Sequence, residues 1–189
     1  MTVDNEFARE NHQGALTEYE MPADEAAILD AAKRCKKLVT ERALMSAGLN
    51  LLPIPGASVA VDVSLMLEIL NSINHEFGLT PNQIRHLTPD SRLRLFQMIT
   101  ATGSSFAGKW ITKPLVMAVL QKLSIRLTAA QAAKLVPALG LAASAGISFA
   151  ALKWVGDQHI KDCVNIAKRF NEQGFARAET RRDQTSQRA

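Results

Sequence analysis

Leu52-Pro53-Ile54-Pro55-Gly56-Ala57-Ser58-Val59-Ala60-Val61-Asp62 is the stretch on which the reading of this chain turns. Proline lacks the backbone donor and its ring clashes with the preceding turn, so Pro53 and Pro55 cannot lie inside a helix. They mark a sharp turn in the middle of an uncharged run, Ala43 to Val61. The helix before the turn should end near Leu51. The helix after it should start near Gly56 or Ala57 and run past Glu68 to about Phe77, with Gly78 as its natural stop. Pro137-Ala138-Leu139-Gly140-Leu141-Ala142 repeats the pattern, and Ser64 and Ser148 fall in step behind the two prolines. The echo reads either as two similar core helices or as a duplication. In the second copy Ala138, Ala142, Gly146 and Ala150 form a ladder of small side chains that suits close helix–helix contact.

Outward from these turns, helical signals fill the chain. Pro22-Ala23-Asp24-Glu25 is a helix start, and Ile28, Ala31/Ala32, Cys35, Leu38/Val39 and Arg42 recur at helical spacing behind it. Thr80-Pro81 and Thr88-Pro89 each pair a capping threonine with proline at the first helical position. Leu93, Leu95/Phe96, Ile99 and Thr102 follow at helical spacing, before Gly103-Ser104-Ser105 weakens that helix or ends it. Pro114 restarts helix with Leu115, Val119, Leu120 and Leu123, and Thr128 should cap a brief Ala-rich segment. The second Pro-x-x-Gly helix should reach Trp154, and a last helix should span Asp157 to Gln173 with Ile160, Cys163/Val164, Ala167 and Phe170 on one side. No stretch alternates with period two in a way that a helix does not explain as well. The expectation is therefore an all-α, compact multi-helix bundle with two central apolar helices. It comprises a mobile acidic arm (1–21), one helical domain (22–173) and a loose polar tail (174–189).

Composition agrees. Of 189 residues, 47% are hydrophobic and 21% charged, which marks a folded body, and aromatics at 5% disfavour a β-sandwich. The net charge of +4 is too modest to call for nucleic acid as a partner. Cys35 and Cys163 are far apart in sequence and read as two buried thiols in a reducing compartment. The acidic start, Met1-Thr2-Val3-Asp4-Asn5-Glu6, lacks the basic and apolar regions of a signal peptide. A cytoplasmic location, or a membrane approached from the cytoplasmic side, is expected.

Catalytic and ligand motifs are mostly lacking. Gly103-Ser104-Ser105-Phe106-Ala107-Gly108-Lys109 fits seven positions of a phosphate loop, but Trp110 stands where a magnesium-binding Ser or Thr is needed, and helix precedes it where strand should. His12, His75, His86 and His159 show no metal-ligand spacing, and no Cys/His constellation or nucleophile elbow is evident. His75 beside Gly78 reads as a helix-end partner of the dipole. No catalytic residue, metal or cofactor is expected, and the chain does not read as an enzyme. Asp62, set among Val59, Val61, Val63 and Leu65, is the one odd charge and a candidate polar contact. The uncharged stretches 43–61 and 135–152 are close to membrane-spanning length, about 20 residues. They read as core helices, with a membrane-inserted hairpin or peripheral docking as the alternatives. Lys33, Arg34, Lys36 and Lys37 are a candidate lipid-facing basic patch, or else a solvated helix face.

The segment Leu52–Asp62 followed by Phe77-Gly78-Leu79, and Leu135–Gly140 followed by Gly146-Ile147-Ser148-Phe149, resemble the helical, non-GTPase region of immunity-related GTPases. They are also similar to helical domains of bacterial GTPase-associated membrane proteins, and more distantly to the EcsC-like family. The GTPase domain itself is lacking, so hydrolysis does not carry over. The resemblance implies a non-catalytic interaction module acting at a membrane surface, with a protein partner such as a separate GTPase. A soluble adaptor or homo-oligomer is the alternative, and a pore-forming bundle a third.

Overall fold

The computed structural model describes residues 21–49, 57–131 and 140–186, with side chains over 21–49, 61–122 and 145–174. The chain is all-α, and every regular element among the described residues is a helix. In order they are α1 (Glu25–Leu49), α2 (Ala57–Glu76), the single-turn α3 (Pro81–Arg85), α4 (Pro89–Thr102), α5 (Lys113–Gln131) and α6 (Gly140–Ser186). Pro53, Pro55, Gly56 and Pro137, and with them both Pro-x-x-Gly turns, lie outside the described residues, as does the acidic arm up to residue 20. Gly140 is the first residue of α6.

The local signals explain the helix starts. Asp24 Oδ1 accepts from the Ala27 amide at 2.7 Å and so caps α1. Thr80 and Gln83 form a reciprocal capping box around α3, with Pro81 in its first turn. Thr88 caps α4 through the Ser91 amide. Gly78 and Gly103 end their helices in the left-handed region, at φ of 68° and 71°.

Packing centres on α6, which lies chiefly along α1 and also touches α2 and α4. Ile28, Ala31, Cys35, Val39 and Ala43 form the buried stripe of α1. They face Leu152, Val155, Ile160, Cys163, Ile166 and Ala167 of α6, while Met66, Ile69, Leu70, Ile73 and Phe77 of α2 complete the core. Gly156 is where α1 and α6 come closest. A Cβ there would stand 2.7 Å from both methyls of Val39, so only glycine fits without a shift.

Several expectations need correction. No break separates Trp154 from Asp157, and α6 is one helix of 47 residues that continues past Gln173 to Ser186. Gly156 carries a propensity cost, but without proline it does not stop the helix. The stretch expected as a loose tail thus has helical backbone up to residue 186, in keeping with its Ala, Arg, Glu and Gln content. No new helix begins at Thr128, because α5 runs unbroken from Lys113 to Gln131. Of the small-residue ladder, Ala138 and the Ala142 side chain lie outside what is described, while Gly146 and Ala150 are exposed; the close contact among the described residues is at Gly156. On α4, Leu95 and Ile99 are buried, but Leu93 and Phe96 point outward.

Gly156→Ala should therefore cost about 1–3 kcal/mol through overpacking against Val39. Gly146→Ala, with nothing within 4 Å of the added carbon, should be neutral or stabilise by up to about 1 kcal/mol. Urea unfolding of the two variants beside the wild type checks both.

Candidate functional site

Asp62 lies on α2 where the ends of three helices meet. The Ser46 hydroxyl of α1 donates to its Oδ1, and the Ser148 hydroxyl of α6 donates to its Oδ2 at 2.7 Å. Each carboxylate oxygen accepts one of these bonds. Asp62 is thus partnered, and it ties α1, α2 and α6 at the uncharged end of the bundle. Ser148 was marked by the echo between the two segments, whereas its counterpart Ser64 is exposed. Ser46 carried no signal beyond being the only hydroxyl in the last two turns of α1.

The α1 basic group is largely neutralised. Lys33 pairs with Asp30 at 3.2 Å, Arg34 with Glu76 of α2 at 2.7 Å and Lys37 more loosely with Glu41 at 3.9 Å. The Glu76 hydrogen bond raises the Arg34 pKa above its ordinary value. Lys36 has no carboxylate partner among the described residues. These exposed pairs contribute little to stability, yet they remove most of the free positive charge from this face.

The seven-residue loop is not a phosphate cradle. The Gly103 amide donates to Ile99 and Thr100 carbonyls, and the Phe106 and Ala107 amides reach Ser104 Oγ. Gly108 donates to the Leu79 carbonyl and Lys109 to that of Phe106. The donors that would hold a phosphate are spent inside the protein. His75 sits exposed in the last turn of α2.

A polar cluster that the sequence reading missed lies in the core. His159 Nε2 is 3.0 Å from Asn74 Oδ1, and Asn74 Nδ2 donates to the Phe106 carbonyl at 3.1 Å. That network fixes Asn74 Oδ1 as acceptor and places the imidazole proton on Nε2. The Phe106 ring meets the imidazole edge-on at 5.4 Å, and Cys163 Sγ lies 3.7 Å from the ring on the next turn of α6. The spacing of four between His159 and Cys163 was visible, but Asn74 and Phe106 come from distant segments. Burial lowers the His159 pKa from 6.5 to about 3. Burial also pushes the Cys35 thiol up to about 12 and the Cys163 thiol well above its ordinary value. A neutral imidazole and two protonated thiols provide neither a nucleophile nor a poised base. Among the described residues no group of three or more His, Cys, Asp or Glu side chains is placed to hold a metal ion.

Above this cluster a cavity of about 410 Å³ opens between the end of α4, α5 and α6, with Phe106, Trp154, His159, Asp162 and Lys122 in its wall. Burial raises the Asp162 pKa, offset by hydrogen bonds from Ser104 and Gln158. Comparison with protein-family models, curated proteins and solved structures finds no match to this chain.

Two measurements probe these polar contacts. Asp62→Ala should cost about 1–3 kcal/mol, because it removes the acceptor shared by the Ser46 and Ser148 hydroxyls, and urea unfolding reads the loss. His159 has a folded pKa below its unfolded value, so its neutral form is favoured by folding. Its contribution is complete above pH 6.5 and is lost progressively as pH falls toward 3. The urea midpoint should therefore drop between pH 7 and about 4.5, and His159→Gln should flatten that drop even while lowering stability at pH 7.

Proposed function

We propose that this chain is a non-catalytic helical interaction module that works at a membrane surface, beside a protein partner such as a separate GTPase. One observation carries the reading: large apolar side chains are left outside a bundle whose core is already closed. Leu93 is 62% and Trp110 61% exposed, and Phe96 stands out with them. Each such side chain gains about 1.5–3 kcal/mol when taken out of water, so several together favour a docked state. No helix among the described residues is long and apolar enough to cross a membrane, so the attachment proposed is peripheral. The GTPase partner rests on the sequence resemblance alone.

The ion pairs on α1 favour a second reading, a soluble adaptor or homo-oligomer. In that reading Leu44, Met45 and Leu49, exposed near the end of α1, meet protein or a second copy of the chain.

Vesicle flotation separates the two. The membrane reading expects the protein to rise with vesicles containing anionic lipid. Retention wholly in the soluble fraction, with a monodisperse species in sedimentation, overturns it in favour of the adaptor.

A further inference from the structure

We propose that the membrane-facing surface is the one formed by α3, α4 and the 103–113 loop, and that it takes anionic lipid headgroups. The inference rests on the membrane reading above and assigns it a surface.

Charge is the first ground. Residues 79–122 carry six basic side chains, Arg85, Arg92, Arg94, Lys109, Lys113 and Lys122, against the one acid Asp90. That is a net charge of +5; residues 123–189 carry a further +5, and residues 1–78 a net −6, which brings the chain to +4. None of the six is ion-paired among the described residues. Arg92 donates to the Arg85 and Leu87 carbonyls. Arg94 donates to the Asp90 carbonyl and Ser91 Oγ and lies over the Phe170 ring. Arg85 donates to Asn82 Oδ1. By contrast, Lys33, Arg34, Lys37, Arg42, Lys153 and Lys168 of α1 and α6 all meet carboxylates. The expected basic patch on α1 is largely compensated, whereas none of these six cations meets a carboxylate among the described residues.

Geometry is the second. Gly108, at φ 70°, is where the segments of this face converge: its Cβ position lies 3.3 Å from Ile84, 2.9 Å from Ile99 and 3.9 Å from Phe96. Arg85 follows Ile84, Leu93 precedes Phe96 by one helical turn, and Lys109 and Trp110 follow Gly108. Two residues of chain reach about 7 Å at most, so the Trp110 backbone lies within about 12 Å of the Phe96 ring. The segments that meet at Gly108 thus carry both exposed cations, Arg85, Lys109 and Lys113, and exposed apolar side chains, Leu93, Phe96 and Trp110.

The mixture selects the ligand. Trp and Phe sit well at the headgroup level, where an apolar ring meets water, and Lys and Arg are drawn to the negative leaflet surface. An aliphatic Leu93 beside them gains by entering acyl chains and has nothing to gain from a phosphodiester backbone. A polyanion such as RNA would use the cations and leave Leu93 in water.

The two tryptophans make the test direct. In a Trp154→Phe protein, Trp110 reports on the proposed face, and in a Trp110→Phe protein, Trp154 reports on the α6 side. With vesicles of phosphatidylcholine containing about a third phosphatidylserine, Trp110 fluorescence should shift to the blue and be quenched by brominated acyl chains. Trp154 should not respond. Each cation contributes about fivefold in affinity, so Arg85→Gln/Lys109→Gln/Lys113→Gln should weaken vesicle binding about a hundredfold. Lys33→Gln/Lys36→Gln/Lys37→Gln should change it less than about threefold. Flotation of the wild type with an unresponsive Trp110, or with the first triple variant binding undiminished, overturns this face and leaves the membrane reading standing. A wild type that ignores the vesicles overturns both, and binding of an RNA homopolymer through the same three cations would then identify the polyanion as the ligand.

Discussion

The close approach of α1 and α6 is the constraint on which the rest of the bundle depends. Gly156 lets the Val39 side chain of α1 pack directly on the backbone of α6. That contact sets the depth at which the stripe from Ile28 to Ala43 enters the core, and α2 closes the third side with Met66, Ile69, Leu70, Ile73 and Phe77. Core packing of this density tolerates little added volume. Such a site also explains why a glycine persists in the interior of a long helix, where alanine would be the better helix former.

Polar groups within the bundle serve to index the helices. Asp62 takes a hydroxyl from each of α1 and α6. Asn74 links α2 to His159 of α6 and to the 103–113 loop through the Phe106 carbonyl. At the opposite end Lys168 meets Glu25 at 2.6 Å, and the Asn171 amide donates to the Pro22 carbonyl at 2.9 Å. Apolar contact is non-directional and permits sliding. A hydrogen bond in low dielectric does not, because a displaced partner leaves a buried polar atom unmet. The helices are therefore held in one register as well as in one place.

Local chemistry was legible in the sequence and long-range chemistry was not. Thr80 before Pro81, Thr88 before Pro89, and Gly78 and Gly103 at helix ends are signals confined to a few residues. They located the helix boundaries well. The continuity of α6 through Gly156 was hidden, since what makes glycine acceptable there is Val39 on another helix. Leu93 and Phe96 share helical spacing with Leu95 and Ile99, and spacing alone does not tell which side of α4 meets the core. The same limit hid the charge distribution. Lys33 finds Asp30 and Arg34 finds Glu76, which largely silences a basic run that looked free, while the less conspicuous Arg85, Lys109 and Lys113 meet no carboxylate among the described residues.

The length of α6 has a consequence for how the molecule comes apart. From Ser148 to Asn171 one uninterrupted rod carries the bond to Asp62, the contact with Val39, the imidazole bond to Asn74, the ion pair with Glu25 and the bond to the Pro22 carbonyl. At 1.5 Å of rise per residue that span is about 35 Å. A rigid rod cannot release one of these anchors by sliding without misaligning the others. Opening at either end is thus coupled to opening at the other, and amide hydrogens along α1, α2 and α6 should exchange as a single cooperative unit rather than helix by helix.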